Sequence, residues 1–165
     1  MIEPKFYIAK ATKNTNGKFV AGPSVEISTY FKGARYKKAD GVENYGKPRT
    51  YTETFPESPT PNIFFGSTLE TTDLTLTLYF FDVDKHEEET EAISAIDAVY
   101  HSFVDYITGT YIKYWDNIRQ RKVILAYQEA TKPTVDSLYN LIYKEVSFKF
   151  INVYGKSFPI DSTEF

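Results

Sequence analysis

The chain contains no cysteine, which removes both a disulfide framework and a thiolate metal site. It has no apolar run long enough to cross a membrane, and its opening residues Met1-Ile2-Glu3-Pro4-Lys5 lack the basic and then apolar regions of a secretory signal. Folding in the cytoplasm of the producing cell is therefore expected. Histidine is scarce. His86 stands alone, and His101 has Ser102 as its immediate neighbour, but adjacent helical positions do not face each other, so no Ser–His pair forms there. No nucleophile elbow is present, and the acids at Asp82, Asp84 and Glu87-Glu88-Glu89 precede no glycine-bearing calcium loop. These absences argue against an enzyme and against a bound metal or cofactor.

Aromatic residues are abundant. Fourteen Tyr and thirteen Phe in 165 residues exceed what a modest core needs. Tyrosine offers apolar area with a polar rim, which suits surfaces where proteins meet, and aromatics also favour strands. A chain of this length makes one domain, 1–165, that buries roughly 70% of its unfolded surface.

The formal net charge of -3 conceals a segregation. Lys32, Arg35, Lys37, Lys38, Lys47 and Arg49 are offset only by Asp40 and Glu43, whereas the stretch from Asp82 to Asp105 is acidic apart from Lys85. Complementary potentials of this kind orient encounters between copies. Candidate subunit contacts are Tyr30, Arg35, Tyr36, Lys37, Lys38, Tyr45, Arg49 and Tyr51 on the basic side, and Glu87, Glu88 and Glu91 on the acidic side.

A first strand over residues 5–11 ends at Asn14-Thr15-Asn16-Gly17, a turn signal that predicts a hairpin with Phe19-Val20. Alternation at Val25, Ile27 and Thr29 predicts a strand reaching Phe31. Residues 32–62 have strand-forming ends and a polar middle, closed by Pro56, Pro59 and Pro61, and are expected as an exposed arm or loop cleaved first near Ala39-Asp40-Gly41. Leu74, Leu76, Leu78 and Phe80 alternate with polar partners in the clearest strand. Asp84 with Glu87 reads as a capping box, and Ile93, Ile96, Val99, Tyr100, Phe103 and Ile107 make one helical stripe ending at Gly109, so one long helix is expected over about 85–108.

Two strands, over residues 111–115 and 123–127, follow around an Asp116-Asn117 turn, with Trp115 expected in the core and Asp116 with Arg119 and Arg121 as a surface ion pair or an interface contact. A short turn or helix is expected near Ser137 to Asn140. The last strand, Tyr143 to Tyr154, switches face at Ile151, which predicts a bulge or two-sided cover. The fold class is mainly β (α+β): an antiparallel β-sandwich or barrel with one long flanking α-helix.

The alternating strand, the helix, the aromatic strand with Tyr114-Trp115-Asp116 and Arg119, and the closing Asn152-Val153-Tyr154-Gly155-Lys156-Ser157-Phe158 together resemble bacteriophage tail-tube and distal-tail proteins. The resemblance covers about residues 63–158. It implies a virion structural subunit in the tail tube, distal tail or baseplate and connector region, assembled in the host cytoplasm. It further implies a homo-oligomeric ring, commonly hexameric, joined to other tail proteins around a lumen that DNA traverses without specific binding. A net-acidic chain suits such a wall, since clustered Lys and Arg would hold the phosphate backbone. Two other readings stand beside it: a nucleic-acid-binding β-domain acting through the basic aromatic arm 30–51, and a receptor- or carbohydrate-binding β-sandwich at a tail tip, with Trp115 as the first suspect.

Overall fold

The computed structural model describes residues 3–54, 62–138 and 141–165. Twelve strands and two helices follow in the order β1 (Phe6–Lys13), β2 (Phe19–Ala21), β3 (Val25–Glu26), α1 (Ile27–Tyr30), β4 (Ala34–Asp40), β5 (Pro48–Thr54), β6 (Asn62–Leu69), β7 (Thr72–Phe81), α2 (Glu89–Ile107), β8 (Tyr111–Asp116), β9 (Arg121–Ala130), β10 (Thr134–Leu138), β11 (Leu141–Asn152) and β12 (Phe158–Pro159). The period-two pattern of β7 is realised: Leu74, Leu76, Leu78 and Phe80 are buried, and opposite them in the antiparallel ladder stand Phe150, Phe148, Val146 and Lys144 of β11. On the other side of the strand, Thr77 and Ser147 share a hydroxyl hydrogen bond of 2.9 Å.

Ten strands form one antiparallel sheet with the main order β2-β1-β8-β9-β11-β7-β4, and β5 and β6 form a separate two-stranded ribbon. In a flat sheet β1 and β4, five steps apart, would be separated by roughly 24 Å. Instead the Phe6 ring of β1 lies on the Tyr36 ring of β4, with centroids 3.3 Å apart. The sheet therefore coils on itself, consistent with a β-sandwich, and its two sides meet through side chains rather than a ladder. The bulge predicted in β11 is not found there: β11 keeps an unbroken register against β7, and the shift against β9 between Lys149 and Phe150 passes over Gln128, so the extra residue lies in β9.

Helix α2 covers the coil. Its buried residues Ala92, Ile96, Phe103 and Ile107 stand four, seven and four residues apart, on one helical face. Phe103 meets Phe148 at 4.9 Å and Phe31 at 5.2 Å, and Lys144 of β11 pairs with Asp97 on the helix flank. Gly109, at φ 74, gives the left-handed exit expected at its C-terminus. No helix among the described residues is long and apolar enough to cross a membrane.

Several local expectations are corrected. The long helix starts at Glu89, not near 85, and the Asp84–Glu87 capping box does not form; Glu88 is the N-cap without a side-chain hydrogen bond. The reason is Asp82, buried at the end of β7, whose carboxylate accepts the backbone N–H groups of Asp84 (3.1 Å) and His86 (2.6 Å) and so shapes a turn that precedes the helix. The strand expected through Phe31 stops at Glu26, because Ile27 and Phe31, both buried, meet the core one helical turn apart across α1. The stretch expected as an arm divides in two. Its first part is β4, paired with β7 and burying Ala34 and Ala39; its second is β5, which pairs with β6 (Asn62–Leu69) following it. Ala39 and Asp40 are held opposite Leu76 and Thr75, so first cleavage near Ala39-Asp40-Gly41 would require β4 to open. The prolines expected to close the segment lie outside the described residues. The turn or helix expected from Ser137 is instead strand β10, while Tyr139 and Asn140 are outside the described residues.

Asp116 is not part of a surface pair. It is fully buried in the β8–β9 turn, where its carboxylate accepts the N–H groups of Ile118 (3.1 Å) and Arg119 (2.6 Å) and the Arg119 guanidinium (2.8 Å). Arg121 turns elsewhere, donating to the Ser157 hydroxyl and carbonyl. Removing a buried carboxylate leaves these donors unpaired, so Asp116→Ala is expected to cost on the order of 3 kcal/mol in chemical denaturation. Glu129→Ala, which breaks the exposed Glu129–Lys149 pair, should cost under about 1 kcal/mol; equal effects of the two substitutions would refute the assignment of Asp116 as a structural anchor.

Candidate functional site

The described residues hold no group of His, Asp and Glu arranged to bind a metal ion. The sequence candidates lie on α1, on β4 and the loop after it, on β5 and around the start of α2. Strand β4 is terminal in the sheet order, with its ladder partner β7 on one side. An edge strand presents backbone groups that invite another strand. Here part of that edge is occupied from within, since the Arg119 guanidinium donates to the Ala39 carbonyl at 3.4 Å.

The candidates separate by environment. Tyr30 and Tyr45 are exposed, at 58% and 68%, the latter among the most open large side chains of the molecule. Arg35 is exposed with its guanidinium over the Phe81 ring at 5.5 Å, a cation–π placement. Lys37 pairs with Glu145 at 2.5 Å and Lys38 with Asp40 at 3.3 Å. The Glu145 hydrogen bond, followed by that of Tyr79, holds the Lys37 pKa above its ordinary value. Arg49 and Tyr51 lie on β5, opposite Thr68 and Gly66, and their side chains are outside the described set. Glu87, Glu88 and Glu91 are exposed around the start of α2.

Tyr36 is turned inward. Besides stacking on Phe6, its hydroxyl neighbours both the Tyr114 hydroxyl and the Arg119 guanidinium. Burial opposes the Arg119 charge, but the contacts with Tyr36 and then Asp116 outweigh it and raise its pKa; burial likewise pushes the Tyr114 hydroxyl up. A ring held this way cannot stack on a base. Lys37 and Lys38 stand beside carboxylates, so two of the six basic residues of the stretch are paired within the chain. Trp115 is half-buried, stacked on Tyr7 at 4.1 Å, with its indole N–H donated to Ser24 at 3.2 Å, so one face of the ring is already covered.

Two features escaped the sequence reading. One is the buried Asp82 with His86, whose Nδ1 lies 2.8 Å from the carboxylate; a lone Asp ending an apolar strand was the available signal. The other is a crossing of three chain segments at Gly46, Glu70 and Gly155. The Gly46 N–H donates to the Gly155 carbonyl at 2.7 Å, and the Glu70 N–H donates to the Lys47 carbonyl at 2.8 Å. A Cβ at Gly46 or Gly155 would overlap the Glu70 carbonyl. Only the two glycines hinted at it.

The sequence matches no protein-family model and no curated protein. The fold does match solved structures. One is the crystal structure of the SPP1 Dit (gp 19.1) protein, presented as a paradigm of the hub of the adsorption apparatus in phages infecting Gram-positive hosts. It aligns with a TM-score of 0.51 and 10% identity over 93% of this chain and 52% of that one. Two others are the phage p2 baseplate in its activated conformation, with Ca and with Sr, each at TM-score 0.52 and 14% identity over 92% of this chain and 45% of that one. The chain thus spans about half the length of the chains it matches. The resemblance to phage tail proteins holds at the level of fold, a β-rich architecture shared with Dit and baseplate chains.

Burial alone would raise the Asp82 carboxyl, but the His86 and Asp84 donors overcome it and hold its pKa below 3.8. The hydrogen bond to Asp82, against burial and with added negative charge from Asp82, Glu91 and Asp84, holds His86 above 6.5. The Asp82 contribution to stability is complete above 3.8 and is lost as pH falls through its depressed folded pKa; that of His86 is complete below 6.5 and is lost as pH rises through its raised one. The turn is therefore firmest between the two values. An NMR titration of the His86 ring should show a midpoint above 6.5 that drops in Asp82→Asn, and an unmoved midpoint would disprove the coupling.

Proposed function

We propose that the protein is a non-catalytic structural subunit of a phage or phage-like tail, acting in the distal-tail or baseplate region. In this reading several copies close into a ring around the DNA channel, contact other tail proteins and leave DNA unbound in the lumen; the virion tail is its final location, reached by assembly in the host cytoplasm. The observation that carries the reading is the fold match to Dit and baseplate chains over more than nine-tenths of this chain. Supporting it, the edge strand β4 and the exposed Tyr30, Tyr45 and Arg35 offer contacts of the kind that assembling surfaces use. The exposed Glu87, Glu88 and Glu91 provide opposite charge for orienting a neighbouring copy. In this reading the β5–β6 ribbon, which among the described residues pairs with no strand of the main sheet, serves as the arm of the subunit.

Mass in solution across a range of protein concentrations, followed by negative-stain electron microscopy, tests the reading. Rings of one defined subunit number are expected. A chain that stays a single copy at every concentration, or that shifts DNA at low salt and releases it as salt rises, would overturn it.

A further inference from the structure

We propose that the crossing of Gly46, Glu70 and Gly155 is a rigid joint that sets the direction in which the β5–β6 ribbon leaves the main sheet, with Gly46 and Gly155 as its positioning residues. A two-stranded ribbon is marginal by itself and has no ladder to the main sheet that would orient it. Its register is set internally, from Pro48 opposite Leu69 to Thr54 opposite Asn62. Among the described contacts, its two roots, residues 46–47 and 70, are fixed at one point.

The Lys47 carbonyl accepts from Glu70, tying root to root, and Gly46 donates to the Gly155 carbonyl, tying one root to the turn that follows β11. That turn is itself anchored, since the Gly155 N–H donates to the Asn152 carbonyl at 3.1 Å, and Val153 donates to Ile124 of β9 at 3.0 Å. The three main chains lie so close that neither glycine has room for a side chain, and Gly155 also sits at φ 69, where other residues are strained. Backbone packed on backbone, with no intervening rotamers, transmits position stiffly. A ribbon held this way reaches a fixed place relative to its own sheet, as an arm engaging an adjacent copy in a closed ring requires; this last consequence rests on the ring reading above.

The absence of cysteine allows two to be introduced for labelling, Glu53→Cys on the ribbon and Ile118→Cys on the exposed β8–β9 turn. Spin-label distance measurements on the full chain should give one narrow distribution. Gly46→Ala and Gly155→Ala should broaden or displace it, whereas Gly22→Ala, whose added Cβ meets the Lys10 carbonyl at an ordinary 3.5 Å, should leave it unchanged. A broad distribution in the labelled parent, or an unaltered one in both crossing variants, would overturn the joint. Should those variants fail to fold, amide exchange of Gly46 and Glu70 in the natural chain decides: protection like that of the sheet supports the joint, and rapid exchange overturns it. A narrow distance in a protein that never assembles would refute the ring alone, and rings formed with a broad distance would refute the joint alone.

Discussion

The structure depends on how the two sides of one sheet are brought together without hydrogen-bonding as strands. Phe6 on Tyr36, and Tyr36 beside Tyr114 and Arg119, span the seam between β1, β8 and β4; Asp116 holds Arg119 in place from below. A buried carboxylate is tolerable only when its acceptor capacity is filled, and at Asp116 two backbone donors and a guanidinium fill it. Because the coil is closed in this way, Ile8, Ile112 and Tyr114 from one side share a core with Leu76, Leu78 and Phe148 from the other, and α2 packs Phe103 against Phe148 and Phe80. Opening the seam would return much of this apolar surface to water.

Away from the seam, the basic residues of the middle region are partly neutralised within the chain. Lys37 with Glu145 and Lys38 with Asp40 turn an apparent cationic arm into a mixed surface, and β4 belongs to the main sheet. What remains free to define the molecule's outward character is smaller: the aromatic side chains at Tyr30 and Tyr45, the acids around the start of α2, and a ribbon whose roots are pinned by main-chain contacts. The proposed role as a tail subunit draws on this distribution of exposed groups.

Legibility in the sequence followed the range of the forces involved. The Asn14–Gly17 hairpin was readable because the Asn14 side chain accepts from Asn16 and Lys18, within its own turn. The β7 alternation and the α2 stripe were readable because the apolar residues of each lie on a single face. Strand β4 was not, because its burial rests on two alanines and on pairing with a strand far along the chain. Nor was α1, whose Ile27 and Phe31 satisfy a period of two in part and a period of four in full. Asp82 and Asp116 looked like surface acids, and only the donors folded around them distinguish them.

The amino-acid sequence by itself determined the mainly β composition, the single long helix, its C-terminal glycine exit and the positions of the principal strands and of the β1–β2 and β8–β9 hairpins, all of which arise from contacts between near neighbours or from one-sided burial. The coiling of the sheet, the seam at Tyr36 and Arg119, the capture of β4 and the glycine crossing under the ribbon were decided only in the tertiary structure. Each joins segments distant in the chain, and no local pattern of residues encodes which distant backbone or carboxylate will stand opposite.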